Sequence, residues 1–82
     1  MITTANQVYQ FTNLVIERSR VTGQNDIAQR LDDAMNLGSS ALEILGAIRI
    51  VLTEEARRIE KIADRSEIQE VVHFVNRTFG TE

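Results

Sequence analysis

The chain has 82 residues, 43% hydrophobic and 26% charged, with a formal net charge of −3, no cysteine and no proline. These values fit a small folding unit and exclude a disordered chain, and the missing cysteines exclude a disulfide framework, a thiolate metal site and a cysteine nucleophile. A mildly acidic chain is also a poor match to non-specific nucleic-acid binding, which depends on neutralising phosphates with clustered Lys and Arg.

No basic region followed by an apolar stretch opens the sequence, and the longest apolar run, about 12 residues with two charges inside it, falls short of the roughly 20 that a membrane span needs. The expectation is one cytoplasmic domain over residues 1–82, with no membrane contact and no cofactor. Four helices account for the whole pattern.

The first helix starts at a cap on Thr3 or Thr4 and runs to about Val21, where Thr22-Gly23-Gln24 supplies a stop. Its apolar stripe is Val8, Phe11, Leu14 and Val15, with Arg18 projecting from the middle, while Tyr9 and Ile16 share a separate outward face. The second helix, about Asp26–Leu37, puts Ile27, Leu31, Ala34 and Met35 on one stripe and is closed by Gly38. Ser40 and Glu43 then have the spacing of a capping box, in which the hydroxyl accepts the Glu43 amide and the carboxylate accepts the Ser40 amide.

The third helix is expected to run from about residue 40 to 63 and to lie at the centre of the molecule. At 100° per residue, Ala41, Ile44, Leu45, Ile48, Val51, Leu52, Ile59 and Ile62 form one stripe, with Glu55 as its charged interruption. Leu42, Gly46 and Ile50 fall on a second apolar face. A glycine inside a helix costs about 1 kcal/mol relative to alanine, so Gly46 marks a place where another helix approaches closely, either from this chain or from a two-fold mate. The fourth helix begins at Asp64 or Ser66 and carries Ile68, Val71, Val72, Val75 and Phe79 on its stripe. Phe74 falls outside that stripe, and Gly80 ends the helix.

Short connections favour antiparallel neighbours, so the predicted fold is an all-α, compact antiparallel bundle of four helices with the third one central. Arg18 and Glu55 would be costly as lone buried charges. They form a candidate buried ion pair, the alternative being that each lies near a bundle end with its stem over apolar surface and its head in water.

Few residues offer chemistry. Glu70 and His73 have the Glu-x-x-His spacing of di-metal carboxylate bundles, but such a site needs two such motifs and two further glutamates, and both side chains point away from the stripe. Ser39 and Ser40 are explained as turn and cap, and the isolated glycines make no phosphate loop. Arg57, Arg58, Lys61 and Arg65 form a basic cluster interleaved with Glu54, Glu55 and Glu60 at salt-bridging spacings, which reads as a self-compensating solvated face. A helix-turn-helix over residues 26–45 would expose Leu42, Ile44 and Leu45 to a groove and is disfavoured.

The functional expectation is a small protein–protein interaction module without catalytic activity, homodimeric or bound to another protein. Its surplus apolar residues Leu42, Gly46, Ile50, Phe74, Tyr9 and Ile16 would form the interface, with Arg49 and Arg77 nearby. Two alternatives are a nucleic-acid-associated regulatory module using the Arg57/Arg58/Lys61/Arg65 cluster and a metal-carboxylate protein centred on Glu70 and His73.

Overall fold

A computed structural model of the protein describes residues 1–38 and 40–80. It contains five helices and, among the described residues, no strand: α1 Ala5–Val21, α2 Asn25–Met35, α3 Ala41–Glu54, α4 Ala56–Ile59 and α5 Arg65–Phe79. The predicted third helix is therefore divided into α3 and α4 and ends at Ile59 instead of about residue 63, where residues 60–63 form a turn, and the predicted fourth becomes α5.

Local chemistry explains most of the boundaries. Thr4 and Gln7 close a capping box at the start of α1: the Gln7 amide donates to Thr4 Oγ1 at 3.3 Å and the Thr4 amide to Gln7 Oε1 at 3.1 Å. The chain reverses at Gly23, whose φ of +80° suits a residue without a β-carbon. The α2 helix stops two residues before the expected Leu37, because Asn36 turns its side-chain amide back onto the Asp32 carbonyl at 2.8 Å and satisfies a terminal acceptor. Gly38 is not the stop, since α2 has ended before it, and the flexible Glu43 side chain rests in the space that a β-carbon there would take. Ser40 Oγ accepts the Glu43 amide at 3.2 Å as the capping box requires, while the Glu43 carboxylate lies against Gly38. Of the two candidate caps for α5, Asp64 is used. Its Oδ1 accepts the Ser66 amide at 2.8 Å and the Ser66 hydroxyl at 2.9 Å, and these bonds hold the carboxyl below its ordinary range. Gly80, at φ +71°, closes α5.

The four longer helices form an all-α antiparallel bundle in which α3 packs against every other helix and α1 also packs on α2. A radius of gyration of 11.6 Å agrees with the ~12 Å of a compact chain of this length, so no helix projects from the body. The core takes Val8, Phe11, Val15 and Ile16 from α1, and Ile27, Ala28, Leu31 and Ala34 from α2. Leu45, Ile48, Val51 and Leu52 come from α3, Ile59 from α4, and Ile68, Val71 and Val75 from α5. No helix among the described residues is long and apolar enough to cross a membrane.

Two expectations about facing are corrected. Leu14, assigned to the stripe of α1, is 37% exposed, whereas Ile16, assigned outward, is 6% exposed and belongs to the core. The stripe is rotated by about 60° on the helical wheel, because Thr12 and Ser19 lie at its centre and polar residues do not register in an apolar count. Thr12 hides its hydroxyl by donating to the Val8 carbonyl at 2.8 Å, while Ser19 Oγ is buried without a hydrogen-bond partner. The same rotation carries Arg18 from the middle of the stripe to its edge.

The second correction is the interruption of the central helix at Glu55, which has φ −107° and ψ 21°. Neither Gly nor Pro occurs anywhere from residue 47 to 79. The break falls on the residue whose carboxylate a straight helix would point into the core.

Candidate functional site

The second face of α3 begins with Leu42, Gly46 and Ile50, one turn apart on the same side of the helix. Leu42 is 48% exposed and Ile50 51% exposed, so both ends of the row are open. The middle is covered from within the chain. A β-carbon on Gly46 would lie 3.2 Å from Cζ of Phe79, so the glycine makes room for the last aromatic ring of α5. Phe79 was expected in the core stripe of the fourth helix, yet it remains 38% exposed. Leu42, the Phe79 ring and Ile50 consequently form a single apolar row, with a borrowed ring filling the gap left by Gly46.

Arg49 fixes that ring. Its guanidinium lies 4.8 Å from the Phe79 centroid, and Nη1 donates to Asn76 Oδ1 at 2.7 Å, so one side chain ties α3 to α5 through a ring face and a hydrogen bond. The arginine expected at an interface thus first serves an intrachain contact. On its other side Ile50 borders a shallow depression between α2 and α3, with Ala34, Ala47 and Val51 below it and Arg30 and Asp33 at the rim.

The other candidate interface residues do not join this row as open positions. Ile16 is buried, and Tyr9 and Phe74 are half-buried and packed against the core. Rotation of α1 accounts for Ile16, while Tyr9 and Phe74 lie at the margins of their helices' buried faces.

The proposed Arg18–Glu55 pair is not formed. Arg18 is exposed and donates from Nη1 to the Ile62 carbonyl at 2.8 Å. Glu55 faces α2 and α4: Oε2 accepts from Arg30 Nη1 at 3.1 Å and Oε1 from Arg58 Nη1 at 3.2 Å. Arg58 continues to Asp26 through two parallel bonds of 2.7 and 2.8 Å and reaches Gln24 Oε1 at 3.1 Å, while Arg30 also pairs with Glu54. The result is an alternating chain of charge, Asp26, Arg58, Glu55, Arg30 and Glu54, along the seam between α2 and the α3–α4 break. The Arg58 guanidinium holds the Asp26 carboxyl at about 2, well below its usual 3.8, and the acidic partners raise both arginines above their ordinary value. Asp26 and Arg30, spaced as i and i+4, were the available sequence signal for this network, since that spacing places both on one face of α2.

The basic cluster is divided by these contacts. Arg58 belongs to the charge chain, and Arg65 Nε lies 3.6 Å from Glu60 Oε1. Near the candidate metal motif, Glu70 lies 3.8 Å from the Met1 amino group, and His73 is exposed. Among the described residues, no three His, Cys, Asp or Glu side chains group to hold a metal ion. Comparison with protein-family models, curated proteins and solved structures finds no match to this chain in any of the three.

Proposed function

We propose that this chain is a small cytoplasmic protein–protein interaction module that self-associates through the second face of α3 and has no catalytic step of its own. The carrying observation is the row of Leu42, Phe79 and Ile50, three large apolar side chains that are 48%, 38% and 51% exposed. Single exposed apolar residues are ordinary on a monomer. A contiguous row containing an aromatic ring stacked by an arginine has the composition of an interface centre. Leu42 and Ile50 stand on the central helix, Phe79 is seated on it from α5, and α3 is held by its packing against the other helices, so the row is presented on a supported surface. A two-fold mate would place the same row against itself, each Phe79 covering apolar surface on the other copy.

Sedimentation equilibrium tests the reading. The expected species is a dimer, and Ile50→Lys yields a monomer with unchanged far-ultraviolet circular dichroism. A wild-type protein that stays monomeric at millimolar concentration overturns it. The nucleic-acid alternative draws less support, because Arg58 and Arg65 already face carboxylates within the chain.

A further inference from the structure

Neither glycine nor proline causes the division between α3 and α4, and the one local perturbation, the Thr53 hydroxyl donating to the Arg49 and Ile50 carbonyls at 3.0 Å, precedes the break by two residues. Residues 52–63 read Leu-Thr-Glu-Glu-Ala-Arg-Arg-Ile-Glu-Lys-Ile-Ala, with no glycine or proline and with several strong helix formers. Glu55, at the junction, supplies no side-chain cap to α4. The apolar pattern also continues through the break: on a straight helix Ala56, Ile59, Ile62 and Ala63 would prolong the stripe formed by Leu45, Ile48 and Leu52. Glu55 is the exception, falling at the centre of that stripe. A straight helix would bury its carboxylate among Ile48, Leu52 and Ile59, each fully buried in the folded chain.

Burying an unpaired carboxylate is far more costly than losing a few helical hydrogen bonds. The observed geometry avoids that burial. The helical ladder ends as the Glu55 amide donates to the Val51 carbonyl at 2.9 Å, and a new turn starts as the Ile59 amide donates to the Glu55 carbonyl at 3.0 Å. Between them the backbone swings the carboxylate to Arg30 on α2 and Arg58 on α4. Every charged group that faces it with a bond takes part in the α2 seam: Arg30 and Arg58 directly, with Asp26 and Glu54 as their other partners.

We infer that Glu55 is a charge-set elbow: its carboxylate is what bends the segment from Ala41 to Ile59, and without that charge the segment forms one continuous helix. Straightening withdraws the Glu55 carboxylate from α2 and leaves Arg30 and Arg58 without that partner. It also re-aims the chain that leads into α5. The device is independent of self-association through Leu42, Phe79 and Ile50, and the two can fail separately.

The absence of native cysteine permits a direct test. Glu43→Cys and Arg57→Cys carry spin labels at two exposed helical positions fourteen residues apart, within about 40° of each other around a straight helix. Labelled chains are diluted in unlabelled protein so that distances within one chain are read. Continuous helix places these backbone positions about 21 Å apart, and the elbow shortens the separation. Introducing Glu55→Leu is expected to move the distance to the straight-helix value and to make the NMR secondary shifts of residues 52–59 uniformly helical. Glu55→Ala provides the same readout without added bulk, should the leucine variant fail to fold. A folded Glu55→Ala protein that retains the short distance and the interrupted shifts overturns the inference, whatever its oligomeric state.

Discussion

The two long seams of α3 are built from different materials. Against α5, the contact is one of shape: Gly46 lacks a side chain where Phe79 has a ring, and Arg49 covers that ring from the side. Against α2, the outer edge is a line of charge in which Asp26, Arg58, Glu55, Arg30 and Glu54 alternate in sign. Shape contacts depend on packing within a few tenths of an ångström and respond little to salt. Charge contacts at a partly exposed seam tolerate movement and are weakened by salt and acid. The outer edge of the α5 seam therefore depends on fit and that of the α2 seam on charge, and the elbow at Glu55 lies on the charged edge.

The largest effects should come from damage to the α5 seam. Phe79→Ala removes the ring above Gly46 and the surface on which Arg49 stacks, and is expected to cost about 2 kcal/mol, less than a fully buried phenylalanine because the ring is partly exposed. Gly46→Val should be comparably harmful, since the added bulk forces the ring away, with overpacking worth about 1–3 kcal/mol. Both losses, measured by urea denaturation, should be nearly the same in low and high salt. A strong salt dependence would contradict a seam held by shape. Gly46→Ala sharpens the point: helix propensity returns about 1 kcal/mol, while the new β-carbon requires the ring to yield slightly, so the two nearly cancel.

A smaller change of opposite sign is expected at Ser19. Its buried hydroxyl has no hydrogen-bond partner, so Ser19→Ala should stabilise the protein by about 1 kcal/mol. Destabilisation would show that the hydroxyl is satisfied in solution.

The smallest effect belongs to the charged seam. The carboxyl of Asp26 is held at about 2 against an ordinary 3.8, so the folded protein binds this proton more weakly than the unfolded chain. The stabilisation is complete above about pH 4 and is lost as the pH falls towards 2. Asp26→Asn should be less stable than wild type at pH 5 in low salt. The gap should close on acidification to pH 2 and also shrink in high salt. A difference unaffected by either treatment would mean that the seam is not held by charge.

The helix ends were legible in the sequence to within a residue or two where the capping chemistry is local. Thr4 with Gln7, Ser40 with Glu43, and Asp64 with Ser66 act over two or three residues, and Gly23 and Gly80 adopt positive φ. The apolar stripes of α2 and α5 were also legible in large part. The face of α1 was misread because Thr12 and Ser19 occupy its centre, and a buried hydroxyl is invisible to a count of apolar residues. Among the candidate interface positions, Gly46 was recognised as a point of close approach, but the approaching group could not be identified. Glu55 was recognised as a misplaced charge, with Arg18 as a candidate partner and a bundle end as the alternative, but its actual partners, Arg30 and Arg58, follow from a break that local periodicity does not show.

By itself, the sequence determined that the chain is helical, where most helices begin and end, and which residues break the apolar pattern. These properties arise from neighbours a few residues apart, whose geometry the backbone fixes. Tertiary structure decided the rotation of α1, the seating of Phe79 on Gly46 and the bend at Glu55. Each depends on groups brought together across the chain, as when Arg30 meets Glu55 across 25 residues. The cost of burying a charge or leaving a gap is set by what folding places beside it, and local periodicity carries no record of that partner.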